Sequence, residues 1–203
     1  LWNATDQFTV GVVIKTPFKA DLKHDHTFDH SIRYPELPPE YVTTSSKATL
    51  TDERWEMPVS YGIGLAYKFS KIFTVSLDIY RTEWDDFVQT DAEGRAFSTI
   101  TGGSPGEINP THQVRMGFEY LFTTPKYIPL CAGVFYDPAP ARDEVDDFFG
   151  FSIGSGIKWR QFHVDFAYQY RFGNTVGTSV LENWDFSQDV AEHAIYSSVI
   201  VHF

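Results

Sequence analysis

One stretch of the chain, residues 162–172, constrains the fold more than any other. It reads F-H-V-D-F-A-Y-Q-Y-R-F, so large apolar or aromatic residues occupy every second position and the remaining positions are mostly polar. Because side chains alternate across a strand with a period of two, this pattern predicts a β-strand with two different faces. A strand of about eleven residues is long for a soluble protein but suits a tilted strand that crosses a bilayer. Its apolar face therefore meets either a protein core or lipid.

The same alternation recurs along the chain and predicts nine strands joined by connections of alternating length. The strands cover roughly residues 6–16, 20–30, 59–69, 73–80, 112–122, 128–136, 149–159, 162–172 and a last strand that ends at residue 203. Short turns are predicted at 16–19, 70–71, 123–127 and 160–161, and long polar loops at 31–57, 85–109, 137–147 and 173–189. Short turns at one edge and long loops at the other are typical of outer-membrane barrels.

The composition favours an all-β protein and excludes several other classes. The chain contains 18 Phe and 11 Tyr, and this excess of aromatic residues favours strands. It has no run of about 18 apolar residues that could form a transmembrane helix. The net charge of −11 opposes binding to nucleic acid. Cys131 is the only cysteine, so neither an intrachain disulfide nor a zinc cluster is expected.

Three features favour an antiparallel transmembrane β-barrel over a soluble barrel or sandwich, in which the apolar face would be the core. The terminal strand ends in Phe203, which resembles the assembly signal of outer-membrane proteins. Aromatic residues gather beside the predicted short turns, as in a membrane girdle: Phe18, Phe69, Phe73, Phe122, Tyr127, Trp159, Phe162 and Phe203. The polar face combines glycines with isolated charges of both signs: Lys15, Lys68, Asp78, Arg115, Glu119, Lys158, Asp165 and Arg171.

The predicted number of strands has a consequence for closure of the barrel. With nine strands, the first and the last run in the same direction, whereas a closed antiparallel barrel needs an even number. We therefore expect that at least one preceding strand is missing from the chain. The alternatives are an overlooked strand, for which residues 45–56 are the best candidate, or closure by another chain.

From about residue 58 onward, and again at 8–23, the sequence resembles the FadL / OmpP1 / TodX family of outer-membrane transporters for hydrophobic compounds. The motifs are Met57-Pro58 before Y-G-I-G-L-A-Y, and the segments 77–84, 113–122, 129–140, 149–157 and 164–170. The resemblance implies a 14-stranded barrel plugged by a small N-terminal hatch. By this comparison, residues 1–203 are a single barrel domain that forms the C-terminal portion, about nine strands, and lacks the hatch and the first strands.

The resemblance also implies a function. We expect passive diffusion of hydrophobic small molecules, such as long-chain fatty acids or aromatic hydrocarbons, through the plugged barrel with lateral release into the membrane. Such a protein is not an enzyme, needs no cofactor, and lies as a monomer among the lipid and lipopolysaccharide of the outer membrane of a Gram-negative bacterium. Two alternatives stay open: a structural or adhesive barrel that acts through its external loops, and a soluble lipocalin-like carrier.

The candidate ligand-binding residues are the cations expected in the lumen, namely Arg115, Lys158 and Arg171. One cation in a mostly apolar pocket can fix a ligand carboxylate. We interpret Asp78, Glu119 and Asp165 as ion-pair partners of these cations rather than as catalytic carboxylates. The paired glycines are expected to make room in the lumen: Gly62, Gly64, Gly154 and Gly156.

Metal sites are not predicted. His24, His26 and His30 lie among Asp21, Asp25 and Asp29, and His24 and His26 share a strand face, but the segment offers no fixed third ligand. The acidic loops around residues 85–93 and 143–147 are interpreted as solvated, although they could bind divalent cations beside lipopolysaccharide.

Overall fold

The computed structural model of this chain describes residues 1–32, 43–123, 128–142, 144–159, 161–177 and 187–201. These residues form antiparallel strands in two sheets, together with one short 3-10 turn at Trp84–Asp86. No helix in the described ranges is long and apolar enough to cross a membrane. The strands are β1 Trp2–Asn3, β2 Phe8–Lys15, β3 Phe18–Ile32, β4 Thr43–Met57, β5 Ser60–Ser70, β6 Phe73–Thr82, β7 Val88–Thr90, β8 Ala96–Ser98, β9 Thr111–Phe122, β10 Ile128–Tyr136, β11 Phe149–Trp159, β12 Phe162–Val176 and β13 Gln188–Val201.

The larger sheet has nine strands in the order β1-β2-β5-β6-β9-β10-β11-β12-β13, and every neighbouring pair is antiparallel. Short turns lie at one edge, and the long connections lie at the other. We call these the short-turn edge and the long-loop edge. The all-β, antiparallel architecture predicted from the alternation is confirmed, and so are the strands over residues 149–159 and 162–172.

The predicted turn at residues 16–19 is wrong. Lys15 pairs with Ser60 and Phe18 pairs with Met57, so one register runs through both pairs of strands. The chain therefore continues from β2 into β3 without reversing, and returns from β4 into β5. Proline lacks the amide hydrogen that a strand ladder needs. Its presence at positions 17 and 58 coincides with the gap between the two ladders, so the Thr-Pro pair interrupts a strand rather than turning the chain.

Because the predicted turn is wrong, the count of nine strands no longer supports the expectation that a preceding strand is missing. The overlooked strand at 45–56 is confirmed as β4, but β3 and β4 leave the larger sheet and form the second sheet, in the order β3-β4-β7-β8. The eight longer strands of the larger sheet are even in number, so β2 and β13 run in opposite directions. In the described residues no pairing joins β13 to β1 or β2, so this sheet is open along those strands.

The larger sheet has one apolar face and one glycine-rich face, as the alternation predicted. The apolar face remains exposed: Val12 is 67% exposed, Ile153 50%, Phe166 60% and Ile195 80%. Its large side chains include Val12, Ile63, Leu77, Ile79, Val114, Met116, Phe118, Val134, Phe151, Ile153, Phe166, Ile195 and Val199. We call the opposite side the glycine face.

The aromatic gathering at the short-turn edge is partly confirmed. Phe69 and Phe73 flank the turn between β5 and β6, with ring centroids 5.7 Å apart. Phe122 ends β9, and Phe162 begins β12. The prediction for Phe18 is wrong, because it lies beyond the long-loop edge. Tyr127, Phe203 and the side chain of Trp159 fall outside the described residues.

The long connections pack into a small layer of their own, which we call the crown: the described parts of residues 83–110, 137–148 and 173–177. The predicted loop at 85–109 contains β7 and β8, which extend the sheet of β3 and β4. Trp84 donates a hydrogen bond from Nε1 to Oγ1 of the buried Thr111, at 2.7 Å. The buried hydrophobic residues of the described chain all lie in the crown: Ile108, Ala141, Phe148 and Val176.

Candidate functional site on the glycine face

The strand register carries a row of side chains across the glycine face near the long-loop edge. Neighbours in the row are cross-strand partners, so alternation along each strand places them all on this face. The row contains both signs of charge, and it includes both arginines among the three residues predicted to bind ligand. Its members, in the order of the strands, are Gly11, Gly64, Asp78, Arg115, Phe135, Gly150, Arg171 and Glu192.

Glycines on this face receive the side chains of their neighbours. A Cβ atom at Gly64 would meet the carboxylate of Asp78, and one at Gly156 would meet that of Asp165. At Gly154 the nearest atoms, in Ala167 and Phe166, lie 3.2 Å from such a Cβ. At Gly64 and Gly156 a larger residue would overlap the neighbouring carboxylate, so these glycines make room for cross-strand side chains. Their expected role of making room in the lumen stays a prediction.

Two open grooves follow the glycine face. The first, of about 320 Å³, lies on β2, β5 and β6, and its lining is mostly backbone and small or apolar side chains, including Thr9, Gly11, Val13, Gly64, Ala66 and Tyr80. The second, of about 380 Å³, crosses β6 and β9 to β12 and includes Ser76, Gly117, Gly133, Ser152, Gly154 and Gln169. Both offer space for a small molecule beside the exposed backbone of the sheet.

Four charged residues meet at the long-loop end of the glycine face, and we call them the ionic cluster: Arg115, Asp137, Arg171 and Glu192. Asp137 lies between the two arginines, with Oδ1 4.0 Å from Nη2 of Arg115 and Oδ2 3.8 Å from Nε of Arg171. Arg171 also donates a hydrogen bond from Nη1 to Oε2 of Glu192, at 3.1 Å. Its guanidinium lies 3.6 Å from the centre of the Phe148 ring, which adds a cation–π contact.

The structure brings together two of the three predicted ligand-binding cations. Arg115 and Arg171 share Asp137, whereas Lys158 lies near the short-turn edge, exposed and opposite His163. The Arg115 side chain is 59% exposed and that of Arg171 only 20%. Arg115 is thus more accessible to a ligand, and Arg171 is held by protein groups.

The interpretation of Asp78, Glu119 and Asp165 as ion-pair partners of the predicted cations is wrong, because in the described residues none of them lies within 4.0 Å of Arg115, Lys158 or Arg171. Asp78 is the cross-strand partner of Arg115, but no ion pair within 4.0 Å links it to another described residue. Asp165 pairs with His163, at 3.2 Å from Nε2, and accepts a hydrogen bond from Ser198. Glu119 lies beside the Cys131 thiol.

Sequence reasoning missed the partners that the arginines have in the fold: Asp137, Phe148 and Glu192. Asp137 directly follows β10, within a Pro-rich acidic segment interpreted as a solvated loop. Glu192 could have been found, because it lies on the polar positions of the last strand and its register partner is Arg171. Nothing in the local sequence of Asp137 indicated that it would contact arginines from two other strands.

The acidic parts of the crown contain no metal site in the residues that the structure describes. Burial, with the nearby charges of Asp85, Glu83 and Glu56, raises the pKa of Asp86. The pKa of Asp91 is lowered, chiefly by the backbone amide of Arg95 and then by its guanidinium. His24, His26 and His30 lie on the described strand β3, but their side chains are outside the described part.

Comparison with known proteins connects this arrangement to solved structures. No family model matches the sequence, and no curated protein matches it. The solved structures that share the fold include the CymD monoaromatic hydrocarbon channel (TM-score 0.60, 20% identity), a Pseudomonas aeruginosa FadL homologue (TM-score 0.61, 15% identity) and the Pseudomonas putida toluene transporter TodX (TM-score 0.57, 18% identity). Each comparison covers 98% of this chain.

At these identities the likeness establishes the fold. The resemblance to FadL- and TodX-type proteins that the motifs indicated is confirmed at that level. The chain spans about half the length of the matched structures, namely 47%, 48% and 46% of them in the same order.

Proposed function

We propose that this chain is part of a FadL/TodX-like outer-membrane transporter for hydrophobic small molecules. The observation that carries the proposal is the exposed apolar face, which runs across all eight longer strands while the few buried hydrophobic residues lie in the crown. In water such a face would have a large unfavourable free energy of hydration, whereas lipid removes that cost. The likeness to a hydrocarbon channel and a toluene transporter supports the choice of cargo.

We further propose that cargo moves by passive diffusion along the glycine face and leaves sideways into the membrane. A hydrophobic molecule crosses the polar outer leaflet poorly, and a groove lined by small side chains shelters it on the way. The proposal includes no catalytic step and no cofactor.

A polar head on the cargo would contact Arg115 first among the predicted cations. Its guanidinium is the more exposed of the two arginines, and its nearest carboxylate is 4.0 Å away, so a ligand carboxylate could pair with it at little cost. Lys158 could contact cargo only near the short-turn edge. If Arg115→Ala leaves fatty-acid binding by the full-length protein unchanged, this role is excluded.

Uptake by cells tests the transport function directly. Cells lacking the gene, and cells carrying the full-length protein, would be supplied with labelled toluene and labelled long-chain fatty acid. We expect uptake of at least one compound to depend on the protein. We also expect Ala66→Trp, which fills the first groove, to reduce uptake, while Leu65→Trp, next to it on the apolar face, does not. Equal uptake with and without the protein would contradict the proposal.

We propose the outer membrane of a Gram-negative bacterium as the location, with lipid and lipopolysaccharide around a monomer, and residues 1–203 as one portion of a single barrel domain. Heat-modifiable migration of the full-length protein in gels and its recovery in the outer-membrane fraction would support this. Recovery in the soluble fraction would contradict it.

A structural or adhesive barrel is the second candidate, because the hairpin of β3 and β4 extends past the long-loop edge. Each of its strands has 15 residues, which corresponds to about 50 Å when extended. Deleting the hairpin should abolish adhesion and leave uptake unchanged under this alternative.

A further inference from the structure

The connection at residues 137–148 turns toward the glycine face where it leaves β10 and where it enters β11. At its beginning, the Asp137 carboxylate contacts Arg115 and Arg171, two side chains of that face. At its end, the ring of Phe148 packs where a Cβ of Gly173 would lie, at 2.8 Å, and beneath the Arg171 guanidinium. Both ends of the connection therefore contact residues of the glycine face.

Further contacts tie the middle of the connection to its neighbours on both sides. Asp146 accepts a hydrogen bond from the Gly177 amide at 2.9 Å, beyond the end of β12. Arg142 lies 3.4 Å from Glu107, which belongs to the segment before β9. Ala141, next to Arg142 in the chain, is buried at 5% exposure. The connection thus covers the ends of the strands from β9 to β12.

The end of β12 is shaped to make one of these contacts. The register between β12 and β13 shifts between Gly173 and Val176, and Thr175 has a φ of 58°. This left-handed conformation is unfavourable for a β-branched residue. The Thr175 amide donates a hydrogen bond to Asp189 at 3.1 Å, and the Gly177 amide, two residues later, donates to Asp146. These hydrogen bonds hold the strained backbone of Thr175 in place.

We propose that the described residues of this connection, 137–142 and 144–148, form a lid over the β9–β12 part of the glycine face, and that the ionic cluster is the latch that holds it closed. Asp137 is the part of the latch that belongs to the lid. It contacts Arg115 on β9 and Arg171 on β12, two strands that are separated by β10 and β11. Removing its charge leaves Arg115 and Arg171 without their shared partner. The lid then loses its side-chain contact with the two arginines and is held at its base by the hydrogen bonds from the Asp137 amide to the Phe148 carbonyl oxygen and from Tyr136 to Asp147, so its opening becomes more frequent. This inference does not depend on which molecule the protein transports.

Cysteine labelling of the full-length protein in intact cells tests the latch. Cys131 would first be replaced by Ser, and Ala141→Cys would then report on the lid through a membrane-impermeant maleimide. We expect slow labelling with the latch intact, and a rate about tenfold higher or more in the Asp137→Asn and Arg171→Gln variants. Glu144→Cys, at an exposed position of the same lid, should label rapidly in every background and so reports expression and reagent access.

Asp165→Asn is the matched control, because Asp165 is an aspartate of the same face that lies away from the cluster and pairs with His163. It should leave the labelling of Ala141→Cys unchanged. Rapid labelling of Ala141→Cys with the latch intact would overturn the proposal, as would equal rates with and without the Asp137 charge. Heat-modifiable migration identifies any variant that has not folded, and Asp137→Asn keeps the test decisive if Arg171→Gln fails. A transport defect alone would not alter these rates.

Discussion

In the nine-stranded sheet the large apolar side chains are exposed, whereas in the crown they are buried. The sheet is held by its backbone ladders and by the fit of side chains over glycines. The crown is held as an ordinary soluble protein is, by a small core around Phe148 and Val176 and by ion pairs. Under the proposed membrane location, lipid covers the apolar face and water surrounds the crown. Mutations in the sheet and in the crown should therefore have different effects on stability.

The largest effect is expected from Phe148→Ala, which removes a buried ring and its contact with Arg171. The loss of a buried Phe costs about 3–5 kcal/mol where the surroundings do not collapse. We expect this cost to fall on the crown alone, seen as faster proteolysis within residues 137–148 while the urea midpoint of the sheet is unchanged. A lowered midpoint of the sheet would show that the two regions are not independent.

The next effect concerns the apolar face. Ile153→Arg should destabilise the protein folded in lipid vesicles by about 2–4 kcal/mol, because a charge would then face the hydrocarbon. The free energy of unfolding would be measured by urea titration of the full-length protein. Ser152→Arg, the neighbour on the glycine face, is the matched control and should cost less. Since Ile153 is 50% exposed, a similar small cost for both would indicate that water, not lipid, covers this face.

A smaller effect is expected from Gly150→Ala. A Cβ at this position would overlap the Phe135 ring and the carbonyl oxygen of Tyr170. Overpacking of this kind costs about 1–3 kcal/mol. Gly154→Ala, where the nearest atoms are 3.2 Å away, should cost less in the same titration. If both substitutions are neutral, the glycines are not needed for packing across the strands.

The smallest effect is the pH dependence of the turn at residues 91–95 in the crown. Because the pKa of Asp91 is lowered in the folded state, its carboxylate stabilises the turn above its ordinary pKa of about 3.8. That stabilisation is lost as the pH falls through the lowered folded value. The protection of the Glu93 and Arg95 amides, measured as the ratio of the intrinsic to the observed exchange rate at each pH, should fall on acidification, and Asp91→Asn should remove the pH dependence of this ratio. A carboxyl signal from Asp91 that titrates at the ordinary value would contradict this.

The sheet was more predictable from the sequence than the crown, for a physical reason. Period-two alternation is a local signal, so residues 162–172 could be identified as a strand with the correct faces. The Thr-Pro pair at 16–17 misled the prediction, because proline occurs both in turns and at breaks within a strand. Only the strand pairing on either side of the proline distinguishes these two cases. The latch depends on Asp137 reaching Arg115 and Arg171, which are distant in sequence. The cations were therefore predicted correctly as residues of one face, but their partners were not.

The unbroken register from β2–β5 into β3–β4 has a consequence for the length of the hairpin. Since every pair keeps the same alignment on both sides of the two prolines, removing equal numbers of residues from β3 and β4 preserves the pairing of all that remain. Removing two residues from each also preserves which side chains face which way. The hairpin can thus be shortened or extended in steps of two residue pairs, about 7 Å each, while the sheet beneath it stays unchanged.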